Sequence, residues 1–67
     1  MKLIINGTTK EIPDNNSTVT LLLSHLQIGQ KKAVVERNGN ILVKEQHDNE
    51  PVKDGDKFEI VHFVGGG

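Results

Sequence analysis

The chain contains a single stretch with the apolar spacing of an amphipathic helix, and that stretch limits the fold. Its apolar residues occupy positions i, i+3, i+4 and i+7: Val19, Leu22, Leu23 and Leu26. Ser17 or Thr18 can cap the helix with a hydroxyl oxygen, and Gly29 is the predicted stop signal. Because one short helix covers one face of a small sheet, the sequence predicts a two-layer α+β domain.

Strand patterns lie on both sides of the helix. Residues 2–6 and 8–12 precede it, and the Asn6-Gly7 dipeptide between them favours a tight hairpin turn. After the helix, we predict a second hairpin from residues 33–37 and 41–43, which are joined by residues 38–40. A polar segment then leads to a final strand over residues 57–64. The pattern predicts a mixed sheet of four to five strands with one helix packed across one face.

The size and composition of the chain narrow the function classes. Its 67 residues allow one small domain, and they include no Cys for a disulfide, a thiolate nucleophile or a Cys-ligated metal. A net charge of −1 and only two aromatic residues, Phe58 and Phe63, argue against nucleic-acid binding. No apolar run suits a signal peptide or a membrane span. We therefore expect a cytoplasmic protein that is monomeric when free.

Catalytic and metal-binding patterns are missing from the sequence. The three histidines, His25, His47 and His62, are dispersed over a helix, a loop and a strand without the spacing of metal ligands, so we expect them to be structural or solvated. No Ser–His arrangement and no phosphate-binding glycine motif is recognisable. We therefore expect no catalytic residue, no metal site and no bound cofactor.

The C-terminal glycines are the first candidate functional residues. Gly65, Gly66 and Gly67 follow the strongest strand pattern, so we predict that the α+β domain covers residues 1–64 and that residues 65–67 form a flexible tail. Without Cβ atoms, Gly65 and Gly66 could thread a narrow channel in a partner enzyme, where the Gly67 carboxylate would be activated with ATP and then attacked by sulfur. The alternative is a frayed chain end without function.

The outer face of the sheet is the second candidate. Alternation along the final strand assigns Phe58 and Ile60 to the helix side, together with four residues of other strands: Leu3, Ile5, Ala33 and Val35. The opposite face then carries an apolar patch that is expected to bind a partner: Ile4, Val34, Val61 and Phe63. The alternative is that long side chains such as Lys2 and Lys32 shield these residues.

The order of hairpin, helix, hairpin and final strand ending in glycines resembles the ubiquitin-like β-grasp pattern over the whole chain. Three stretches resemble the ThiS family of sulfur carriers in thiamine biosynthesis more closely: Val35-Glu36-Arg37-Asn38, Asp54-Gly55-Asp56, and Val61-His62-Phe63-Val64-Gly65-Gly66-Gly67. The molybdopterin-type carrier MoaD shares the fold and the Gly-Gly end. It usually has a proline-containing segment before its tail, and residues 58–67 contain no proline.

The resemblance implies a covalent carrier that is not itself an enzyme. An E1-like, ThiF-type enzyme would use ATP to adenylate the Gly67 carboxylate, and a persulfide donor would convert the adenylate to a thiocarboxylate. A ThiG-type thiazole synthase would then receive the sulfur. ATP would be consumed by the partner and not bound by the carrier. The alternatives are a molybdopterin-type carrier, a protein-tagging modifier and a non-covalent ubiquitin-like binding module with an idle tail.

Overall fold

Five strands and one α-helix make up most of the regular structure in the computed structural model, which describes residues 1–29 and 33–62. Their bounds, in chain order, are β1 Lys2–Ile5, β2 Thr8–Glu11, α1 Val19–His25, β3 Ala33–Arg37, β4 Asn40–Leu42 and β5 Lys57–His62. A short 3-10 turn, Lys44–Gln46, lies in the long connection between β4 and β5. The predicted α+β class and the upper strand number are therefore confirmed.

The strand that leads to the C-terminus lies at the centre of the sheet. The strand order is β2-β1-β5-β3-β4, with β5 parallel to β1 and antiparallel to β3. The two hairpins, β1–β2 and β3–β4, therefore flank β5 on its two sides. Strand β5 therefore has a neighbouring strand on both edges at its start, where β1 pairs with Lys57 and Phe58.

The two hairpin turns use the same dipeptide. Asn6-Gly7 has φ angles of 51° and 83°, and Asn38-Gly39 has φ angles of 49° and 90°. Positive φ at both central residues is the requirement of the turn that best matches strand twist, and Asn and Gly tolerate it. The second turn is tighter than predicted, since Asn40 already pairs with Arg37 and begins β4.

Helix α1 begins as its sequence pattern predicts. Thr18 is the N-cap, and its Oγ1 accepts a hydrogen bond of 3.3 Å from the backbone N–H of Leu21. The apolar stripe faces the sheet, with Val19, Leu22 and Leu23 fully buried. Leu21, which lies off that stripe, is 43% exposed. The 3.6-residue period of the helix therefore selects which leucines enter the core.

The end of α1 differs from the prediction. Gln27 adopts a positive φ of 61° just after the helix, whereas Gly29, the predicted stop signal, has no positive φ. The backbone N–H groups of Gln27 and Ile28 donate to the carbonyls of Ser24 and Leu23, at 3.0 and 2.9 Å. These two bonds form a Schellman cap, and Ile28 packs against the core beyond it. The hydrophobic contact of Ile28 accompanies this cap, as is common for a Schellman motif.

The core lies between α1 and the inner face of the sheet. Its buried members are Leu3, Ile5, Ile12, Val19, Leu22, Leu23, Val35, Leu42, Val52, Phe58 and Ile60. Phe58 and Ile60 of β5 lie on the helix side with Leu3, Ile5 and Val35, while Ala33 is partly buried against them. The predicted division of the sheet into an inner and an outer face is therefore confirmed for these residues.

The loop that follows β4 contributes a buried histidine. His47 is 1% exposed, and neither of its ring nitrogens has a hydrogen-bond partner within the described residues. Its backbone carbonyl accepts a bond of 3.1 Å from the N–H of Thr20 at the start of α1. His47 is therefore structural, whereas His25 and His62 are exposed.

Candidate functional site

The described part of β5 ends at His62, three positions before Gly65, where the predicted reactive tail begins. Phe63 and the tail residues Gly65, Gly66 and Gly67 lie outside the described residues, so the predictions about them stay predictions. The structure describes how the rest of the chain holds β5. The candidate site is therefore built from the two ends of β5 and its outer face.

A charged network holds the start of β5. Asp56 is 7% exposed and accepts bonds from Arg37 Nε at 2.8 Å, Asn38 Nδ2 at 3.1 Å and the Lys53 N–H at 2.8 Å. Arg37 Nη1 also donates to Glu50 Oε2 at 3.2 Å. Arg37 and Asn38 come from one of the stretches quoted for the family resemblance, and Asp56 comes from another. These two stretches therefore meet in one structural cluster.

The network favours the ionised form of Asp56. Burial acts to raise the pKa of Asp56, but the hydrogen bonds from Arg37, Lys53 and Asn38 outweigh it and hold that pKa below its ordinary value. The Asp56 hydrogen bond is also the main cause that raises the pKa of Arg37. Both side chains therefore carry their charges at neutral pH. Because Ile4 N–H donates to the Asp56 carbonyl at 3.0 Å, the network also fixes where β5 meets β1.

A single asparagine holds β5 near its other end. Asn6 Nδ2 donates to the Ile60 carbonyl at 2.9 Å, and Ile60 N–H donates to Asn6 Oδ1 at 2.7 Å. The backbone N–H of Asn6 donates to the Phe58 carbonyl at 2.9 Å. The last residue pair between β1 and β5 is Ile5 with Phe58, so the Asn6 side chain extends the contact beyond it.

The predicted outer patch is exposed but not continuous. Val34 and Val61 are direct cross-strand partners, with exposures of 46% and 57%. Ile4 is 36% exposed, but its partner on β5 is Lys57. Val61 lies four positions after Lys57, which corresponds to about 13 Å along a strand. The register therefore interrupts the predicted patch between Ile4 and Val61 with charged residues, and the role of these residues in binding a partner stays a prediction.

Two acidic residues occupy the middle of that face. Glu36 and Glu59 are direct cross-strand partners, and Glu36 also pairs with Ile41 of β4, which is 69% exposed. Like charges directly opposite each other destabilise a sheet. The outer face therefore carries an apolar pair toward the end of β5 and an acidic pair at its middle. Ile4 of β1 lies apart from both pairs, beside the start of β5. We call Val34 and Val61 the valine pair.

A groove of about 420 Å³ borders the end of β5 on the helix side of the sheet, between the last turn of α1 and the first hairpin. Asn6, Gln27 and His62 are among its lining residues.

Across residues 1–29 and 33–62, no group of three or more His, Asp or Glu side chains is arranged to hold a metal ion. Within the same residues, helix α1 is too short to cross a membrane.

Two features of the site escape sequence reasoning. The Asn6-Gly7 dipeptide predicts a turn, but nothing in it shows that the Asn6 side chain bonds Ile60, which lies 54 positions away. The pairing of Glu36 with Glu59 likewise depends on the register of two distant strands. The sequence shows each of these residues, but it does not show which residue each one contacts.

Comparisons with known proteins agree with the architecture. The model of the ThiS family matches residues 3–67. The sulfur carrier protein ThiS of Bacillus subtilis is 40% identical over 65 residues, which are 97% of this chain and 98% of that protein. A crystal structure of the thiamine biosynthesis protein ThiS from Geobacter metallireducens superposes with a TM-score of 0.82, at 42% identity and with 100% of both chains covered.

Two further relatives are much longer proteins. Thiazole synthases of Paramagnetospirillum magneticum and Magnetococcus marinus are 45% and 31% identical to this chain over 67 residues. The chain spans about a fifth of the length of these two relatives, with 20% of each covered. The five-stranded mixed sheet with one helix is the ubiquitin-like β-grasp fold of the solved ThiS structure. The chain therefore belongs to the ThiS family.

Proposed function

We propose that this protein is the sulfur carrier of thiamine biosynthesis and that the Gly67 carboxylate bears the sulfur. The observation that carries the proposal is the similarity to the Bacillus subtilis carrier, which extends over 97% of this chain and 98% of that protein. The family model reaches Gly67, so the similarity includes the tail. The central position of β5, which leads to that tail, supports the same assignment.

The carrier takes part in the chemistry as a cosubstrate. In an E1-like, ThiF-type enzyme, a Gly67 carboxylate oxygen attacks the α-phosphorus of ATP, and the bond to pyrophosphate breaks. A persulfide sulfur from the donor then attacks the acyl carbon and releases AMP, which leaves an acyl disulfide. A second thiol attacks the donor's sulfur atom, forms a disulfide with it and releases the Gly67 thiocarboxylate. Gly65 and Gly66 provide a tail without side chains for the enzyme's channel.

The outer face of the sheet provides the docking surface for the adenylating enzyme. The valine pair supports this role, because two exposed apolar side chains lie side by side near the end of β5. Phe63 continues the same alternation in the sequence and is included in the proposed surface. Ile4 lies apart from the valine pair and contacts the enzyme only if the interface extends across the acidic pair.

A ThiG-type thiazole synthase is the proposed recipient of the sulfur. Each of the two thiazole synthases similar to this chain resembles it over a fifth of its own length. A carrier-like segment and the rest of a synthase therefore occur in one polypeptide in those relatives, which supports a working pair. We place the reaction in the cytoplasm, where ATP and thiols are available to the partners.

Intact mass spectrometry tests the proposed function. The protein is incubated with ATP, a ThiF-type enzyme and a persulfide donor. Replacement of one terminal oxygen by sulfur adds about 16 Da. The shift is expected for the wild-type protein and must vanish when Gly67 is deleted. An unchanged wild-type mass would overturn the proposal, and retained binding of the enzyme in that case would favour the non-covalent binding module.

Docking is tested separately from the carboxylate chemistry. Val61→Ser is expected to raise the Kd for the adenylating enzyme about tenfold, because a side chain in the centre of an interface can contribute more than 1 kcal/mol. Ile4→Ser is the matched control on the same face, and it should leave the Kd unchanged in calorimetry. Equal losses for both variants would show that the interface spans the whole face. Gly67→Ala should retain binding and lose pyrophosphate release.

A further inference from the structure

We propose that Asn6 is a positioning residue for adenylation, because its side chain fixes the part of β5 from which the tail leaves. The inference rests on the proposed function, since it concerns how the Gly67 carboxylate is delivered. Asn6 does not touch the carboxylate or the nucleotide in this scheme. It acts through Ile60, which lies two residues before the last described residue of β5.

The Asn6 side chain replaces a missing strand. β1 ends at Ile5, whose partner on β5 is Phe58, and the chain then turns away into β2. Without Asn6, the N–H and carbonyl of Ile60 would face no strand on that side. The side-chain amide supplies one acceptor at 2.7 Å and one donor at 2.9 Å, as a peptide group of a longer β1 would. β5 is therefore bonded on both edges as far as Ile60.

The turn does not explain the choice of this side chain. Asn6 has a φ of 51°, and Asn, Asp or Gly satisfies the first position of such a turn. Only an amide offers both a donor and an acceptor that match the Ile60 peptide groups. An Asp carboxylate would accept from the Ile60 N–H but would place a second oxygen against the Ile60 carbonyl. The two side-chain bonds therefore require an amide at position 6, whereas the turn alone does not.

Loss of these bonds would move the anchoring point of the tail. Beyond Ile60, Val61 and His62 pair with Val34 and Ala33 of β3, and within residues 1–29 and 33–62 they have no strand partner on the other edge. If Ile60 also lost its bonds to Asn6, the described end of β5 from Ile60 to His62 would be held at the β3 edge only. The carboxylate would then reach the enzyme's site less often and in more orientations. Small losses of positioning lower the rate of a reaction by large factors.

The other hairpin turn provides a matched control. Asn38 also precedes a glycine, has a φ of 49° and makes two side-chain hydrogen bonds, one to Asp56 and one from Lys57 N–H. It therefore resembles Asn6 in turn geometry and in the number of bonds, but it holds the opposite end of β5. A general loss of stability would affect both variants, whereas a positioning effect would be confined to Asn6.

The experiment compares Asn6→Gly, Asn6→Asp and Asn38→Gly in pyrophosphate release with a ThiF-type enzyme, at a temperature where amide spectra show each variant folded. For Asn6→Gly, kcat is expected to fall about tenfold while KM for the carrier stays within about twofold, because the valine pair is unchanged. Faster amide exchange at Ile60 should accompany the loss. Asn6→Asp should lose kcat similarly, although aspartate suits the turn, and Asn38→Gly should keep its kcat.

The outcomes separate this inference from the proposed function. A wild-type protein that releases no pyrophosphate overturns the proposed function and the inference with it. Wild-type kcat in both Asn6 variants, with normal turnover of the wild-type protein, overturns the inference alone. An equal fall of kcat in Asn6→Gly and Asn38→Gly also overturns it, because the loss would then follow stability. A change in KM without a change in kcat assigns Asn6 to docking and contradicts the positioning role.

Discussion

The two faces of β5 differ in the burial and in the type of their side chains. On the inner face, Phe58 is fully buried and Ile60 is 4% exposed, and both pack against α1 and its neighbouring strands. On the outer face, Val61 is 57% exposed and Glu59 lies opposite Glu36. The inner face follows from the need to bury apolar surface. The outer face does not, because an exposed valine and an acidic pair add little or nothing to stability.

That difference shows where function can be sought in a small domain. A 67-residue chain has a thin core, so most of its inner residues are needed for folding. The outer face is free to carry features that folding does not require. A like-charged pair and an exposed apolar pair on one face are therefore more informative about partners than the core is.

The largest expected effect is that of truncating the inner aromatic residue. Phe58→Ala should lower the free energy of unfolding by about 3–5 kcal/mol, since it removes a fully buried side chain and leaves a cavity. Val61→Ala, three residues along the same strand, should change it by less than about 0.5 kcal/mol. Urea denaturation of the two variants measures both. Similar losses would show that the two faces do not differ as described.

The helix offers the same comparison with a smaller side chain. Leu23→Ala should cost about 2–5 kcal/mol, because Leu23 is fully buried against the sheet. Leu21→Ala removes the same atoms from a position that is 43% exposed, and should cost less than about 1 kcal/mol. Chemical denaturation of the pair is the measurement. A loss below about 0.5 kcal/mol for Leu23→Ala would contradict its place in the core.

The part of this division that could be predicted from sequence is the part that depends on local periodicity. Alternation in the final strand placed Phe58 and Ile60 inside, and the 3.6-residue spacing placed Leu22 and Leu23 on the helix stripe. Both patterns depend on residues that lie close together in the sequence, so no distant contact is needed to interpret them. The same holds for the Asn-Gly turns, whose backbone requirement is local.

What the sequence did not show depends on register or on tertiary contact. Ile4 was grouped with Val61 because β1 and β5 are neighbours, but the register pairs Ile4 with Lys57. Gly29 is the predicted stop signal, whereas the left-handed residue of the cap is Gln27, and Ile28 packs against the core beyond it. The register of β1 and β5 and the position of the helix cap both depend on contacts between distant residues, which residue types alone do not define.

A smaller effect is expected at the charged network that starts β5. Asp56→Asn keeps the shape of the side chain but removes the charge that faces Arg37 Nε at 2.8 Å. Hydrogen bonds to charged groups contribute about 1.5–3 kcal/mol, so a loss in that range is expected at pH 7. Asp14→Asn, which replaces an exposed carboxylate that accepts a hydrogen bond of 2.8 Å from the Met1 ammonium group, is the control for loss of a solvent-exposed ion pair and should cost less than about 1 kcal/mol.

The pH dependence of stability should change in the same variant. Because the pKa of Asp56 is lowered in the folded protein, its contribution is present at neutral pH and is lost as the pH falls from about 4 through the folded value. The wild-type protein should therefore lose stability over that acidic range more steeply than Asp56→Asn. Thermal unfolding between pH 7 and pH 2 measures the two slopes. Parallel curves would contradict the assigned role of Asp56.

The smallest expected effect has the opposite sign, and it concerns the acidic pair of the outer face. Glu59→Gln removes one of two like charges that lie directly opposite each other, so the free energy of unfolding should rise by about 0.2–1 kcal/mol at low salt. The gain should shrink in 1 M salt, where the screening length falls to about 3 Å. Glu36→Gln should behave in the same way.

The double variant decides whether the two glutamates act on each other. If the repulsion is mutual, Glu36→Gln and Glu59→Gln together should gain less than the sum of the single variants, because the first substitution already removes the unfavourable pair. Additive gains would mean that each glutamate is destabilised by other charges. A loss of stability in both single variants would show that the acidic pair stabilises the sheet. The outer face of β5 would then contribute to folding, contrary to its proposed contrast with the inner face.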